Sequence, residues 1–206
     1  ILRKGSYDAI LFGDIDDYFS TDRVSVNINK LANAEIVVND IHLVGDSRIH
    51  EYNYFSNRIE NKLCFGLEYI VDKNFLGLSN SAIRTENIID FLASPKDIIA
   101  FDWYFFSYCF LKGKKAYFTN ETTTFYRQHN NNLVGLNCST PESFILSLKV
   151  KSNNYFHLMK IDNLFSCHYR RTMELQDLIS DKGMKNLKSL DLQYPLWWEQ
   201  TYSIES

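Results

Sequence analysis

The 206-residue sequence contains only three prolines, eight glycines and four cysteines. So low a content of proline and glycine excludes collagen-like, Pro-rich and low-complexity chains. The cysteines lie far apart and form no CxxC pair: Cys64, Cys109, Cys138 and Cys167. Neither a disulfide framework nor a zinc site is predicted, and we expect buried thiols in a reducing, cytoplasmic compartment.

The sequence also lacks an excess of basic residues and a long apolar run. Lys and Arg number 22 against 25 Asp and Glu, which gives a formal net charge of −3. Nucleic-acid-binding domains are typically basic on one face, so no nucleic-acid partner is predicted. The longest aromatic and apolar stretch, residues 101–111, contains Asp102 and is shorter than the ~20 residues that span a bilayer. We therefore expect a soluble protein.

Strand-like and helix-like segments alternate along the chain. Strands are predicted over 7–13, 34–44 and 115–126, and helices over 24–31, 54–73, 86–92 and 100–111, with two more after residue 140 that separate at 153–154. Thr21 or Asp22 is expected to cap the first helix, and Gly113 to end the apolar one. This alternation predicts an α/β protein, a sheet flanked by helices with a helical C-terminal third.

Three carboxylates, Asp14, Asp16 and Asp17, follow the first predicted strand within four residues. Crowded like charges raise carboxyl pKa values and cost stability unless a cation neutralises them. Open α/β sheets bind ligands at strand ends, and hard carboxylate oxygens suit Mg²⁺ or Mn²⁺ together with substrate phosphates. The motif therefore predicts a divalent metal site. The alternative is a solvated acidic turn that caps the helix after it.

Four sequence blocks occur in order between residues 7 and 135. They are GDIDDYF at 13–19, GLSNSAIR at 77–84, AFDW at 100–103 and YRQHNNN at 126–132. In this order they resemble four segments of the family 2 glycosyltransferases with the GT-A fold: the DxD segment, the glycine-led acceptor-side segment, the segment that supplies the base, and the Tyr-Arg-x-His-x-x-Asn block. The resemblance covers about two-thirds of the chain.

The resemblance implies a GT-A-like, Rossmann-like mixed sheet flanked by helices. It places a partial catalytic domain at 1–140 and a helical extension, packed on the same domain, at 141–206. Members of the family hold the nucleotide base with βαβ units ahead of the DxD strand, and such a unit needs about 30 residues. We therefore expect that the N-terminal nucleotide-binding part is missing from this sequence.

The resemblance also implies an activity: inverting, metal-dependent transfer of a sugar from a nucleotide-sugar donor to a hydroxyl of a glycan or lipid-linked acceptor. Asp102 is implied as the general base. Asp16, Asp14 and His129 are implied ligands of Mn²⁺ or Mg²⁺; Asp14, Asp17 and Arg127 contact the donor diphosphate; Gly77, Ser79, Asn80 and Trp103 contact the acceptor. Such enzymes often build cell-envelope polysaccharide, which implies a cytoplasmic protein with peripheral association at the inner face of the membrane.

Several of these residues have structural alternatives. Asp102 suits the N-cap of the apolar helix, Trp103 suits the core, and Arg127 suits a salt bridge with the acidic motif. The alternative for His129 is a surface position. A hydrophobic strand followed by DxD also occurs in haloacid-dehalogenase-type phosphatases, with Asp14 as nucleophile and Asp16 as acid. A third interpretation is a non-catalytic GT-A remnant used for binding.

Overall fold

The computed structural model describes residues 7–45, 49–88, 94–127 and 141–182. The chain divides into two compact units. The first unit contains residues 1–69, 76–93 and 108–129, and the second contains residues 70–75, 94–107 and 130–206. A division of the chain into domains at residue 140 stays a prediction.

The first unit is built on a mixed seven-stranded sheet. Its strands are β1 (Ala9–Leu11), β2 (Tyr18–Phe19), β3 (Ile36–Val44), β4 (Ile49–Glu51), β5 (Cys64–Phe65), β6 (Ser81–Arg84) and β7 (Ala116–Arg127). The main order is β1-β6-β3-β7-β2, with β4 beside β3 and β5 beside β7. Among these described strands, β3 and β7 pair in parallel and the other pairs are antiparallel. The mixed α/β architecture is therefore confirmed.

The core of the first unit lies along β3 and β7. Ile36, Val37 and Val38 begin β3 as a continuous apolar run and have no exposed surface, as is typical of a strand covered on both faces. Helix α1 (Arg23–Leu31) contacts strands β1, β3, β6 and β7. Leu31 of this helix packs with Val37 and Ala82. The predicted first helix is thus confirmed, with Asp22 at the N-cap position.

Two segments of the first unit differ from the sequence-based prediction. Residues 54–73 form no long helix; β5 and a short 3₁₀ helix (Leu67–Tyr69) lie there instead. Lys62, inside this range, has left-handed backbone dihedrals with φ of 65°, which an α-helix does not accept. The helix predicted over 86–92 is a 3₁₀ turn at Thr85–Asn87, and residues 89–93 lie outside the described part of the chain.

The second unit is helical in its described residues. It contains the start of α2 (Phe101–Leu111), followed by α3 (Pro141–Leu158) and α4 (Phe165–Lys182), and α3 packs against α4. The predicted apolar helix is confirmed as α2, and Gly113 follows it with φ of 77°. Its Trp103 is fully buried, and the indole N–H donates to Ile70 O at 2.8 Å.

The predicted separation of the C-terminal helices at 153–154 is wrong. Both asparagines lie inside α3, and the chain turns after Leu158. Asn153 suits the helix because its side chain has partners outside it: Ile99 N–H donates to Asn153 Oδ1 at 2.9 Å, and Asn153 Nδ2 donates to Asp97 O at 3.0 Å. Asparagine is unfavourable inside an isolated helix, and here these contacts offset that preference.

The cysteines only partly follow the prediction of buried thiols. Cys109 is buried, and burial raises the pKa of its thiol to about 12. Cys64 and Cys167 are exposed, so the prediction is wrong for these two. Within the described residues, none of the helices has the length and apolar character needed to cross a membrane.

Candidate active site

The three carboxylates of the DxDD motif lie in a tight turn directly after β1. We call residues 14–17 the acidic turn. Asp17 N–H donates to Asp14 O at 3.2 Å and closes it. Ile15 is fully exposed at its tip, and Asp14 and Asp16 are exposed on either side, whereas Asp17 is only 8% exposed. The turn therefore presents two carboxylates to solvent and directs the third inward.

Asp17 joins the acidic turn to two other parts of the first unit. Its Oδ1 accepts from the backbone N–H of Arg127, at the end of β7, at 2.9 Å. Its Oδ2 accepts from the hydroxyl of Ser79, and the same hydroxyl accepts from Asp14 N–H at 3.3 Å. Because both carboxylate oxygens are used inside the protein, the predicted contact of Asp17 with the donor diphosphate is not supported. Asp17 is a positioning residue.

Burial and mutual repulsion act on the carboxyl groups of the acidic turn. Partial burial raises the pKa of Asp14, and the negative charge of Asp16 raises it further. Burial also raises the pKa of Asp17, against the lowering effect of the hydrogen bonds from Ser79 and Arg127. A group that neutralises Asp14 and Asp16 would therefore relieve an unfavourable interaction.

The raised pKa of Asp17 predicts a pH dependence of stability with a definite sign. A pKa above the ordinary 3.8 means that the folded protein holds this proton more tightly than the unfolded chain. As the pH rises from 3.8 through the folded-state pKa, ionisation of Asp17 then costs stability. Asp17→Asn removes this cost. We expect urea denaturation to show the variant gaining stability relative to the wild type between pH 3 and pH 7; a relative loss over this window would contradict the prediction.

A buried arginine lies beneath the acidic turn. Arg23, the first residue of α1, is 5% exposed and donates through one guanidinium nitrogen to Phe12 O and Ser79 O, both at 2.7 Å. Its guanidinium also lies 4.5 Å from the centre of the Phe19 ring. Burial lowers the pKa of Arg23 to about 10, so the group stays charged at neutral pH. Arg23 thus joins Phe12, which precedes the acidic turn, to Ser79, which hydrogen-bonds to the turn.

Asn39 of β3 connects Arg23 to the rest of the sheet. Its Oδ1 accepts from Arg23 Nε at 3.1 Å and from Asn27 Nδ2 at 3.2 Å. Its Nδ2 donates to Thr124 Oγ1 at 3.0 Å, and Thr124 in turn donates to Ser79 O at 3.1 Å. These hydrogen bonds join α1, β3, β7 and Ser79, so the network fixes the base of the site.

Most residues that the resemblance assigned to the acceptor have internal partners. Ser79 and Asn80 are each 3% exposed; Ser79 holds Asp17, and Asn80 Nδ2 donates to Asn39 O at 3.2 Å. Trp103 is fully buried and presents no ring face to solvent. The acceptor contacts predicted for these three residues are corrected accordingly. Gly77 is partly exposed, and a Cβ there would lie 3.0 Å from Asn80 Oδ1, so its glycine allows a close approach.

Arg127 and Tyr18 form an outward-facing pair beside the acidic turn. The Arg127 guanidinium lies 4.5 Å from the centre of the Tyr18 ring and donates to the Tyr18 hydroxyl. Tyr18 is 53% exposed and Arg127 is partly exposed. Arg127 is therefore held beside the acidic turn by a neighbour on β2.

The remaining predicted residues are Asp102 and His129. Asp102 lies in the first turn of α2 rather than at the N-cap, and its Oδ1 accepts from Trp103 N–H at 2.7 Å. It is partly exposed and belongs to the second unit. His129 lies outside the described residues.

A divalent cation can be tested against the groups at the acidic turn. Within the described parts of the chain, no cluster of three or more His, Cys, Asp or Glu side chains could hold a metal ion. Asp14 and Asp16 together offer two exposed carboxylates. Mg²⁺ and Mn²⁺ are commonly held by one or two carboxylates, with waters and substrate phosphates completing the sphere. The two carboxylates fit a cation that binds together with a phosphate ligand.

Sequence reasoning missed Arg23, Asn39 and Thr124 as parts of this site. Arg23 begins a helix whose buried side also carries Asn27 and Leu31, and a charge on a buried side needs a partner. Asn39 interrupts the apolar run of β3, and a polar residue inside a buried strand is a similar signal. Neither signal names the partners, because these lie far away in the sequence.

Among the comparisons with known proteins, only the comparison with solved structures found matches. No family model matches the chain, and none of the curated proteins matches it. A crystal structure of S. aureus TarS 1–349 in complex with UDP-GlcNAc is 13% identical with a TM-score of 0.47, and covers 74% of this chain and 44% of its own. A second, of S. aureus TarS 1–349, is 14% identical with a TM-score of 0.44, and covers 74% and 42%. This chain thus spans less than half the length of either, and at these values the likeness assigns no chemistry to its residues.

Proposed function

We propose that this chain takes part in the transfer of a sugar from a nucleotide-sugar donor to a hydroxyl of a glycan or lipid-linked acceptor, with inversion at the anomeric carbon. The observation that carries the proposal is the acidic turn. Two carboxylates, Asp14 and Asp16, face solvent at the end of β1, and the turn that holds them is braced from inside by Asp17 and Arg23.

Holding the turn in this way costs folding free energy, and a turn that is simply exposed to solvent would not need it. Arg23 is desolvated, since burial lowers its pKa to about 10, and burial and repulsion raise the pKa of Asp14. Proteins keep arrangements of this kind where a defined geometry of charged groups is used. A capping turn for α1 needs no such support, and Asp22 already occupies its N-cap position.

Asp14 and Asp16 are the groups that would hold Mn²⁺ or Mg²⁺. A divalent cation supplies positive charge to a departing nucleoside diphosphate. Arg127 can add a second positive charge through a guanidinium suited to phosphate oxygens, and the Tyr18 ring beside it fixes its direction.

Asp102 is the proposed general base. As the acceptor oxygen bonds to the anomeric carbon, the bond from that carbon to the diphosphate oxygen breaks, and the hydroxyl proton passes to the carboxylate of Asp102. A single displacement of this kind inverts the anomeric configuration. The carboxylate lies in the first turn of α2, and its Oδ1 accepts from Trp103 N–H at 2.7 Å.

A turnover assay tests the proposed function. The protein is incubated with UDP-, GDP- and TDP-sugars, including UDP-GlcNAc, in Mn²⁺ or in EDTA, and release of the nucleoside diphosphate is measured. Metal-dependent release from one donor supports the proposal. Release of phosphate from a phosphomonoester, with an aspartyl phosphate trapped at Asp14, would overturn it in favour of a phosphatase. The absence of both turnover and donor binding would overturn it in favour of a binding remnant.

Asp102→Asn tests the proposed base separately from the acidic turn. We expect the rate of transfer to an acceptor to fall by at least about 10²-fold, because a positioned base typically contributes that much, while the donor dissociation constant stays unchanged. Asp97→Asn is the matched control in the same unit, since the Asp97 side chain is exposed. Equal losses in the two variants, or transfer by Asp102→Asn at the wild-type rate, would remove Asp102 from this role.

A further inference from the structure

Four ring side chains form a row across the sheet of the first unit, directly after the acidic turn. We call this set the aromatic row: Tyr18 on β2, Phe125 on β7, His42 on β3 and Tyr52 after β4. Tyr18 is the register partner of Phe125, and Phe125 is that of His42, so these three side chains lie side by side on one face of the sheet. Tyr52 extends the row, because its ring centre lies 5.1 Å from that of His42.

The aromatic row is a fixed surface that is open at both ends. Strands about 4.8 Å apart spread Tyr18, Phe125 and His42 over about 10 Å, and the rings of His42 and Phe125 meet edge to face with their centres 5.2 Å apart. Tyr18 and Tyr52 are 53% and 60% exposed, and the two inner rings are partly exposed. Cross-strand packing accounts for the inner pair. It does not account for two large rings that stay more than half exposed at the ends, and apolar groups gathered in this way mark a place of contact.

Polar groups accompany the rings of the row. The backbone N–H of Asn53 donates to His42 Nδ1 at 3.1 Å, so Nδ1 is an acceptor and Nε2 carries the ring proton. His42 therefore offers an N–H donor in the middle of the row. At the other end, the Tyr18 hydroxyl accepts from the Arg127 guanidinium. The row thus combines ring faces with a few hydrogen-bonding groups at the edges of the rings.

We propose that the aromatic row binds the sugar chain of the acceptor. A sugar ring presents C–H groups on its faces and hydroxyls around its edge, so a face packs on an aromatic ring while the hydroxyls meet polar groups at the rim. Several rings in line suit a chain of sugars better than a nucleobase, which is a single ring system. This proposal rests on the proposed function. It also supplies acceptor contacts in place of those that Ser79, Asn80 and Trp103 do not make.

The row begins beside the proposed reaction centre. Tyr18 follows Asp17 directly, and Arg127, whose guanidinium lies on the Tyr18 ring, donates its backbone N–H to Asp17 Oδ1 at 2.9 Å. A sugar on Tyr18 would therefore lie next to the acidic turn, and a sugar on Tyr52 would lie at the far end of the row. A longer acceptor gains contacts away from the reacting hydroxyl, so its affinity should rise with chain length.

Titration of the full chain with oligosaccharides of increasing length tests the proposal. The probes are gluco-, manno- and chito-oligosaccharides of one to six sugars, titrated by calorimetry in EDTA and without any nucleotide. We expect at least one series to bind, with a dissociation constant that falls with each sugar until the row is covered. Tyr52→Ala is expected to raise that constant at least about fivefold, as the loss of an anchoring aromatic ring does. Tyr52→Trp keeps a ring face and should restore the affinity.

Tyr7→Ala is the matched control for Tyr52→Ala. Tyr7 is 53% exposed and precedes β1, at the opposite edge of the sheet from β2, so the same change there should leave the affinity for sugars unchanged. Thermal unfolding checks that each variant is folded. The proposal is overturned if none of the series binds, if affinity does not depend on chain length, or if both alanine variants lose affinity equally. Displacement of the oligosaccharide by UDP would also overturn it, since the row would then hold the nucleotide.

The outcome of these titrations is separate from that of the proposed function. They contain neither donor nor metal, so the absence of nucleotide-sugar turnover would not change them. Turnover of a nucleotide sugar without binding of any oligosaccharide would remove the aromatic row from the acceptor site and leave the transfer reaction in place.

Discussion

Asp16→Asn is expected to lower metal-dependent turnover of the nucleotide sugar by at least about 10³-fold. Removal of one of two exposed carboxylates leaves Asp14 as the remaining outward acid of the turn, and a contribution of several kcal/mol from a bound cation corresponds to such a factor. The rate of nucleoside diphosphate release in Mn²⁺ measures the effect. The binding of Mn²⁺ in the presence of the donor, followed by the paramagnetic signal of the free ion, should weaken in parallel.

The fold is expected to tolerate this substitution. Asp16 is exposed at the tip side of the acidic turn, whereas the bracing contacts belong to Asp17 and Arg23. The unfolding midpoint should therefore stay close to that of the wild type, and loss of activity cannot be explained by loss of structure. Asp14→Asn gives a second test of the same site.

Asp22→Asn is the matched control for Asp16→Asn. It makes the same change of carboxylate to amide six residues later, at an exposed position where Asp22 Oδ1 accepts from the Thr122 hydroxyl at 2.7 Å. This variant should keep its activity. If both variants lose turnover equally, or if Asp16→Asn keeps the wild-type rate with Mn²⁺, then Asp16 holds no metal that the reaction needs.

The elements that sequence reasoning predicted correctly are those with a uniform pattern. β3 begins with β-branched residues covered on both faces, and α2 is apolar on all sides, so local composition alone indicates a buried strand and a buried helix. The acidic turn was placed correctly for the same reason, since three aspartates directly after an apolar run are a local signal. The helix predicted over 54–73 does not form, and Lys62 within that range takes left-handed dihedrals that no local pattern announces.

The direction of each carboxylate could not be predicted from the motif. Asp17 turns inward because its partners, Ser79 and Arg127, lie 62 and 110 residues away in the sequence. The same holds for Ser79 and Asn80. Their sequence block suggested acceptor contacts, yet their side chains are bonded to Asp17 and Asn39. Spacing along the chain indicates which residues gather at a strand end, whereas the fold decides which of them are left for a ligand.

The second large effect is expected on the free energy of unfolding and concerns the buried guanidinium of Arg23. Arg23→Met is expected to lower the free energy of unfolding of the first unit by about 3 kcal/mol, because loss of a hydrogen-bonded buried charge leaves acceptors unsatisfied at about 1–3 kcal/mol each. Phe12 O loses its arginine partner outright. Ser79 O and Asn39 Oδ1 keep one bond each, from Thr124 and from Asn27, and the removed desolvation of the arginine offsets part of the loss.

Arg84→Met is the matched control for Arg23→Met. Arg84 also donates to two backbone carbonyls, Leu31 O at 2.7 Å and Ala32 O at 2.8 Å, but its side chain is 36% exposed, so water can replace those bonds and we expect a loss of about 1 kcal/mol or less. Urea denaturation compares the variants, and hydrogen exchange at the Phe12 amide, which donates to Ser81 O at 3.2 Å, reports the acidic turn locally. Equal destabilisation by both variants, with unchanged exchange at Phe12, would mean that Arg23 braces nothing beyond its own helix.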